Sequence, residues 1–376
     1  MSSPLLSSTL LAMTLISPHL SETQRIQVGP YAARGLWTAA HPNAPAAKVP
    51  AIIMIPGSGP NGPEGMVPGS ITEDGIDHAL LSQLAQPFIE AGWNVLTLGK
   101  PGIEYFSSWE PSARYYDEQL YMHLHWQGLV DNLAAGVKFL RMQPNVDPER
   151  VYILGHSQGT QVAVDYARED GAVCGLILLG YSGEDIRTTI EWQLYRRPLE
   201  YFFASDVDRD HDGLISKAEA GAWPGPLSLD GVTFNWDFGQ QSALTYQDIE
   251  DQLRADPQNT QLYDLLRDSD FYSNGVFSRG SIYTKTAAVH GSVHIFTGEL
   301  DLLTRPREAM NAVGSCIKAG KSDCEATIVP GLGHGFSRPR GPRRHPLLDI
   351  TVGPIAPSFL SDLQSLAIKL GKDRDL

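Results

Sequence analysis

The segment Gly155-His156-Ser157-Gln158-Gly159 decides how the rest of the chain is interpreted. It follows an apolar run at residues 151–154 and precedes a helix-like segment at residues 160–169. A serine at the tip of a tight strand-to-helix turn needs small residues two positions before and after it, because larger side chains would collide with the strand and the helix. This context predicts a nucleophilic serine at position 157, with a purely structural turn as the alternative.

The composition is that of a globular protein with a sizeable core. The chain has 376 residues, 42% hydrophobic and 19% charged, enough for one large α/β domain with an insertion or for two smaller domains. The net charge of −14 argues against a nucleic-acid partner, because phosphate binding needs clustered Lys and Arg. The basic cluster of Arg340, Arg343 and Arg344 is rich in Pro and Gly and is expected to be a solvated loop. No apolar run approaches the roughly 18 residues of a membrane helix, so no membrane span is predicted.

The N-terminus and the cysteines leave the cellular location open. Residues 1–24 are interpreted as an N-terminal arm or a degenerate export signal, since no basic residue precedes the apolar stretch and no small-x-small cleavage site follows it. Cys316 and Cys324 are close enough in sequence to pair, although two free thiols are the alternative, and Cys174 is expected to be inert packing. A disulfide would favour an oxidising compartment, so periplasmic or extracellular export is preferred to the cytoplasm.

Strand and helix patterns alternate in both halves of the chain, and strands separated by helices at this spacing predict a mostly parallel central sheet with helices on both faces. The predicted strands are a hairpin at 25–37 and runs at 51–55, 93–98, 151–154, 173–179, 292–297 and 326–329. The predicted helices are 78–91, 120–142, 160–169, 306–319 and 357–370.

The alternation stops between residues 183 and 288. This segment is rich in Trp, Tyr, Asp and Gly, with helical pieces at 188–204 and 247–255. We interpret it as a largely helical cap insertion between the sixth and seventh strands. The predicted α/β core then consists of residues 25–182 and 289–376.

Two further residues complete a catalytic constellation. A serine hydroxyl needs an adjacent base, and the base needs an orienting carboxylate. Asp301 follows the strand at 292–297 and His334 follows the strand at 326–329, so both are expected at the carboxyl edge of the sheet, where open α/β sheets gather their sites. Glu299 is the rival acid. The rival histidines are His290 and His294, which precede the acid, and His345, which lies in the basic loop.

With this Ser, Asp, His order, the chain resembles the serine hydrolases of the α/β-hydrolase superfamily, in particular the esterase-like members. The resemblance implies Ser157 as nucleophile, His334 as general base and Asp301 as orienting acid. It also implies an oxyanion hole formed by the amide of Gln158 and by Gly57 or Ser58. Residues 56–60 resemble the His-Gly-Ser-Gly-Pro loop of esterase-like and peptidase-like members, with proline in place of histidine.

Residues 208–219 match a twelve-residue EF-hand calcium loop at its diagnostic positions. Without a cation, carboxylates at this spacing would repel one another, so the pattern favours a structural Ca²⁺ over a solvated acidic loop. A second loop of the same pattern is absent, which favours a structural role over a regulatory one. The predicted ligands are Asp208, Asp210, Asp212, the Leu214 carbonyl, Ser216 (directly or through water) and Glu219.

Taken together, the sequence predicts a serine hydrolase that cleaves a small-molecule carboxylic ester through an acyl-enzyme, without an organic cofactor and with a calcium-stabilised cap. A peptidase or amidase of the same fold is the first alternative. A non-catalytic, calcium-dependent binding protein on a hydrolase scaffold is the second. The oligomeric state is left open.

Overall fold

The computed structural model describes residues 23–40, 48–68, 72, 75–106, 117–169, 173–222, 236–269, 272, 275–338 and 353–372. Residues 1–22 of the predicted N-terminal arm and the basic cluster near Arg343 lie outside the described residues, so the predictions made for them stay predictions.

The described strands form an eight-stranded central sheet and two small two-stranded sheets. They are β1 (Thr23–Val28), β2 (Ala33–Thr38), β3 (Val49–Ile55), β4 (Met66–Val67), β5 (His78–Ala79), β6 (Asn94–Leu98), β7 (Val146–His156), β8 (Gly175–Leu179), β9 (Leu214–Ser216), β10 (Ala243–Thr245), β11 (Ser292–Gly298) and β12 (Cys324–Val329). The central sheet has the order β1-β2-β6-β3-β7-β8-β11-β12. The pairs β4-β5 and β9-β10 form separate two-stranded antiparallel sheets.

The central sheet is mostly parallel, as the sequence predicted. The first two strands form an antiparallel hairpin, and β2 also pairs antiparallel with β6. All further neighbours, from β6 to β12, pair in parallel. Strands β6 and β8 are buried along their whole length, because helices cover this mostly parallel sheet on both faces.

Helices cover both faces of the sheet. The described α-helices are α1 (Leu80–Glu90), α2 (Glu118–Met122), α3 (Trp126–Arg141), α4 (Gln158–Glu169), α5 (Ile186–Glu191), α6 (Lys217–Ala222), α7 (Tyr246–Ala255), α8 (Pro257–Arg267), α9 (Tyr283–Ala287), α10 (Pro306–Lys318) and α11 (Pro357–Lys372). Helices α3, α4 and α10 bury their apolar residues against one face. Helices α1 and α11 pack against the other. No helix in the described ranges has the length and apolar character needed to cross a bilayer.

The predicted helix at residues 120–142 is wrong in one respect, because the chain breaks it into α2 and α3. His125 has an extended backbone (φ −80, ψ 161) and starts α3. Leu124 and Trp126 are both buried at the break, so the apolar periodicity continues through it and could not reveal it. Gly128 makes room there, because a Cβ on it would lie 2.5 Å from Leu124 Cδ1.

Between β8 and β11 the described chain is mainly helical. Helix α5 continues into two π-helical segments, Trp192–Arg196 and Leu199–Val207, where the sequence predicted a helix at 188–204. The division into a core and a cap stays a prediction. On the cysteines the structure is definite: a disulfide joins Cys316 of α10 to Cys324 of β12, and Cys174 is a free thiol next to β8.

Candidate active site

Ser157 occupies a strained turn between β7 and α4. Its φ is +54°, in the left-handed region that non-glycine residues rarely adopt. A Cβ on Gly155 would lie 2.4 Å from the Gly159 carbonyl oxygen, and one on Gly159 would lie 2.7 Å from the Pro56 oxygen. The turn is therefore possible only with glycine at both positions. Its strain is a common mark of functional residues.

Asp301 and His334 are hydrogen-bonded to each other. His334 Nδ1 lies 2.8 Å from Asp301 Oδ2, and both side chains are buried in the loops that follow β11 and β12. Asp301 is held by three more hydrogen bonds of 2.8 Å, donated by the Leu303 amide, the Thr304 amide and Thr304 Oγ1. Burial opposes ionisation of Asp301, but His334 and these donors together lower its pKa below the usual value.

The imidazole of His334 lies against Gly180, at the end of β8. A Cβ on Gly180 would lie 2.8 Å from His334 Cε1 and 2.9 Å from Nδ1, and the glycine has a left-handed φ of 57°. Any other residue would push the ring away from its place. Gly180 therefore helps to set the ring position relative to Asp301.

Ser157 and His334 line one small cavity of about 100 Å³. Within the described residues, the hydrogen bonds of the His334 ring involve Asp301 and Thr304 at Nδ1, and none joins the ring to Ser157. Hydrogen bonds between nucleophile and base are often long in free enzymes and tighten when substrate binds. The structure thus brings the three predicted residues to one site, with Asp301 and His334 in direct contact and Ser157 across the cavity.

The rival residues lie elsewhere. Glu299 is exposed, and its Oε2 accepts a hydrogen bond from the Gly331 amide (2.8 Å). His290 and His294 line a larger cavity of about 610 Å³, which is built from the amino ends of β7, β11 and β12. Its size alone does not make it the active site, because Ser157 lies at the carboxyl ends of the strands. His294 is engaged there with Glu325 (2.7 Å).

The predicted oxyanion loop lies beside the serine. A Cβ on Gly57 would be 2.8 Å from Ser157 Cβ, so only glycine allows this approach. Gly57 and Ser58 line the small cavity, and Gln158 is buried at the start of α4. The loop is fixed by the side-chain amide of Asn61, which donates to the Ser58 oxygen (2.5 Å) and more weakly to the Gly57 and Gly59 oxygens (3.3 Å each).

Two residues at the site were missed from the sequence. His156 Nε2 lies 3.1 Å from the His334 carbonyl oxygen, and the two rings are 4.8 Å apart at their centroids. Burial, with a smaller effect of His334, lowers the pKa of His156 to about 3. Lys100 Nζ contacts Gln158 Oε1 at 2.9 Å. A lysine two residues after an apolar strand could have been noticed, but no sequence pattern indicated that its side chain is buried.

Three of the predicted calcium ligands lie together. Carboxylate oxygens of Asp208, Asp210 and Asp212 are within 4.8 Å of one another. Asp208 is only 1% exposed and its Oδ1 has no hydrogen-bond partner, whereas Oδ2 accepts hydrogen bonds from the Gly213 amide (3.0 Å) and Tyr246 Oη (2.8 Å). A buried carboxylate oxygen without a partner is costly, so this set of oxygens suits a hard cation.

The remaining predicted ligands are placed differently. The Glu219 carboxylate accepts hydrogen bonds from the Arg209 amide (2.9 Å) and from the amide and hydroxyl of Ser216 (2.9 and 2.8 Å), which lowers the Glu219 pKa. It is not among the three clustered carboxylates. Leu214 and Ser216 belong to β9, and the Leu214 amide donates to Asp212 (2.8 Å). The roles of these three residues stay predictions.

The predicted calcium loop has a structural partner that the sequence pattern did not reveal. Strand β9 pairs with β10, with Ile215 opposite Leu244. After β10, Thr245 and Asp248 form the same reciprocal cap that Ser216 and Glu219 form after β9. Residues 237–248 lack the alternating aspartates, and therefore the ligand pattern could not reveal them. The recurring Ser/Thr-x-x-Asp/Glu spacing was the available signal.

Comparisons with known proteins bear on the fold. No protein-family model matches the sequence, and no curated protein matches it either. Solved structures do match. A puromycin-hydrolysing peptidase from Mycobacterium tuberculosis aligns over 94% of this chain with 12% identity and a TM-score of 0.51. An acylaminoacyl peptidase from Pyrococcus horikoshii aligns over 95% with 12% identity and a TM-score of 0.50.

The chain spans only 40% and 42% of the length of these two peptidases. A Pyrococcus furiosus esterase aligns over 94% of this chain and 91% of its own, with 12% identity and a lower TM-score of 0.46. At such identities the similarity concerns the fold. The chain has the α/β-hydrolase fold, as its resemblance to that superfamily implied.

Proposed function

We propose that the protein is a serine hydrolase that cleaves carboxylic esters of small molecules. The observation that carries the proposal is the buried 2.8 Å contact between His334 Nδ1 and Asp301 Oδ2, in a site where His334 and the strained Ser157 line one cavity. A buried carboxylate that orients an imidazole across a cavity from a partly exposed serine is the arrangement that nucleophilic catalysis by serine requires.

The proposed mechanism proceeds through an acyl-enzyme. Ser157 Oγ attacks the ester carbonyl while His334 takes its proton, and His334 then protonates the leaving alcohol. Water, activated by the same imidazole, releases the acid. Asp301 holds Nδ1 and stabilises the imidazolium, whose charge it balances. The backbone amides of Gln158 and of Gly57 or Ser58 would stabilise the negative oxygen of each tetrahedral intermediate.

The small cavity supports a preference for short acyl groups. Its volume of about 100 Å³ is well below the 300–1,000 Å³ typical of sites for drug-sized ligands. Besides the catalytic groups, the cavity is lined by the polar residues Asn61 and His156 and by the apolar side chains of Val67, Leu80, Leu81 and Leu303. An acyl chain of a few carbons would bury its apolar surface there, whereas a long chain would stay in water.

The test uses a matched pair of substrates. We expect p-nitrophenyl acetate or butyrate to be hydrolysed and the octanoate to be hydrolysed less efficiently, with kcat/KM lower by at least about tenfold. The Ser157→Ala variant should keep its melting temperature and lose hydrolysis and fluorophosphonate labelling. Ester hydrolysis that survived in this variant would show that another nucleophile acts. Faster cleavage of the matched anilide than of the ester would favour a peptidase or amidase.

We also propose that Ca²⁺ stabilises the insertion. Asp208, Asp210 and Asp212 would hold it, with the Leu214 carbonyl, Ser216 and Glu219 completing the coordination. The unpartnered buried oxygen of Asp208 supports this assignment. When bound, the ion would supply charge neutralisation and local order rather than catalysis, because no catalytic residue is among its proposed ligands.

A further inference from the structure

Both polar atoms of the Gln158 side-chain amide form hydrogen bonds. Gln158 follows the nucleophile, and its amide is the proposed oxyanion donor. Its Oε1 lies 2.9 Å from Lys100 Nζ, and its Nε2 lies 2.8 Å from the hydroxyl oxygen of Tyr272. Lys100 Nζ donates to the amide oxygen, and the charged form of lysine can only donate. The Gln158 nitrogen is then directed to Tyr272, which makes the two contacts mutually consistent.

Lys100 connects the two halves of the proposed oxyanion hole. It directly follows Gly99 at the carboxyl end of β6 and is only 4% exposed. Its side chain reaches Gln158, while its backbone amide donates to the Asn61 oxygen (3.0 Å). Asn61 in turn fixes the carbonyls of Gly57 and Ser58. Lys100 thus contacts both Gln158, which carries one proposed oxyanion donor, and Asn61, which fixes the loop that carries the other.

A lysine buried in this way is costly to the fold. Its only large pKa effect is burial, which lowers the pKa of Lys100 to about 7. A small void of about 20 Å³ beside the side chain is lined by Pro56, Gly99 and Gln158, so the group lies directly behind the oxyanion loop. A cost of this kind is usually retained where the group serves a site.

Tyr272 contacts the other polar atom of the Gln158 side-chain amide, Nε2. It belongs to the segment between β8 and β11, and its ring lies 6.4 Å from Phe277, itself 5.6 Å from Tyr263 of α8. Burial raises the pKa of Tyr272 to about 12, so the hydroxyl is protonated at neutral pH. The insertion therefore contacts the residue next to the nucleophile through a defined hydrogen bond.

We infer that Lys100 and Tyr272 are positioning residues that hold Gln158 from the sheet side and from the insertion side, and thereby fix the amide that stabilises the oxyanion. This inference rests on the proposed serine hydrolase activity. Neither residue touches the reacting atoms. They act by keeping the first residue of α4 in one conformation during the reaction.

The test combines two variants with a matched control. Tyr272→Phe removes only the hydroxyl, and Lys100→Met keeps the side-chain length without the charge. Tyr263→Phe is the control, because the Tyr263 hydroxyl hydrogen-bonds Glu191 (3.2 Å) within the insertion and has no contact with Gln158. For p-nitrophenyl acetate we expect kcat to fall about tenfold in each test variant, with KM nearly unchanged and the melting temperature not lowered. Fluorophosphonate labelling should slow in parallel.

The double variant Lys100→Met/Tyr272→Phe distinguishes a shared positioning role from independent structural effects. If both residues act through Gln158, their effects on kcat should be less than additive, whereas independent structural effects would add. Wild-type kcat and labelling rate in Tyr272→Phe, with Lys100→Met folded and equally active, would overturn the inference. A wild-type protein that is not labelled and hydrolyses no ester would remove the proposed function itself, and this inference with it.

Discussion

At the scale of single residues, the orientation of one imidazole carries the proposed chemistry. Asp301 Oδ2 is hydrogen-bonded to His334 Nδ1 and accepts a hydrogen bond from Thr304 Oγ1. Asp301 Oδ1 accepts hydrogen bonds from the backbone amides of Leu303 and Thr304. Replacing Asp301 by Asn keeps the shape but places an NH₂ group among these donors, and the tautomer of His334 is no longer set. We expect kcat for ester hydrolysis to fall by about 10³–10⁴-fold. Steady-state kinetics on p-nitrophenyl acetate measures this.

Glu299→Gln is the matched control for Asp301→Asn. Glu299 is two residues away and exposed, and it hydrogen-bonds Gly331 instead of His334. The kcat of Glu299→Gln should stay within about threefold of the wild type, since the hydrogen bond from Gly331 to Glu299 is exposed. A large loss in Glu299→Gln together with a small loss in Asp301→Asn would reverse the assignment of the acid.

His156 gives the fold a dependence on pH. Burial lowers its pKa from 6.5 to about 3, so the folded protein keeps it neutral while the unfolded chain takes up a proton below pH 6.5. Stability is therefore lost as the pH falls through 6.5 and towards 3, by at most about 1.4 kcal/mol per pH unit. Gln at this position retains a donor for the His334 carbonyl and does not titrate.

Urea unfolding at pH 7 and pH 5 tests this prediction on the wild type and His156→Gln. The wild type should lose about 2 kcal/mol more than the variant between the two pH values, because all other titrating groups are shared. An equal loss in both proteins would mean that His156 does not stay neutral in the fold.

At the scale of elements, identical glycine substitutions should have opposite effects in two helices. A Cβ on Gly136 in α3 would lie 2.3 Å from Ile53 Cδ1, whereas a Cβ on Gly314 in α10 would meet no atom within 4 Å. Gly314→Ala should raise the free energy of unfolding by about 0.5–1 kcal/mol through backbone entropy. Gly136→Ala should lower it by about 1–2 kcal/mol through overpacking. Denaturant melts of both variants measure the difference, and the same sign in both would contradict it.

The length and burial of an element determine whether the sequence could predict it. Strands β3, β6 and β8 and the second half of β7 are almost entirely buried because the sheet is covered on both faces, and these mainly apolar runs were predicted within a few residues, whereas the polar first half of β7 was not. The small sheets β4-β5 and β9-β10 have two or three residues per strand, too few to show a period. The π-helical turns near Trp192 depend on tertiary packing, which leaves no local pattern.

At the scale of the whole molecule, the sequence could predict those features of the site that depend on where each residue follows a strand along the chain. Ser157, Asp301 and His334 each follow a parallel strand, and the carboxyl ends of such strands share one edge. The strand order, with β6 between β2 and β3, depends on long-range pairing that local patterns do not contain. For the same reason Lys100 could not be placed beside Gln158, since these residues approach only when β6 and β7 flank β3.

The calcium proposal also belongs to this scale, because β9-β10 and the Tyr246–Asp208 contact join the acidic loop to α7. An ion that binds only the folded state stabilises it, by about 2.7 kcal/mol at a hundredfold excess over Kd. We expect the melting temperature of the wild type to be several degrees higher in 1 mM Ca²⁺ than in excess EDTA. The concentration of 1 mM is chosen from the range of Kd values of EF-hand loops. Mg²⁺ should be less effective, since it needs a tighter octahedral site.

Two exposed aspartates provide the decisive comparison. Asp210→Asn removes a proposed ligand, whereas Asp251→Asn neutralises a carboxylate on α7 that accepts a hydrogen bond from Gln247 (2.9 Å). The melting temperature of Asp251→Asn should keep its response to Ca²⁺, and that of Asp210→Asn should lose it. Since both variants change the net charge equally, nonspecific screening would affect them alike. EDTA that left both the wild-type melting temperature and its esterase activity unchanged would refute the metal site while leaving the triad proposal intact, because the two sites share no ligand.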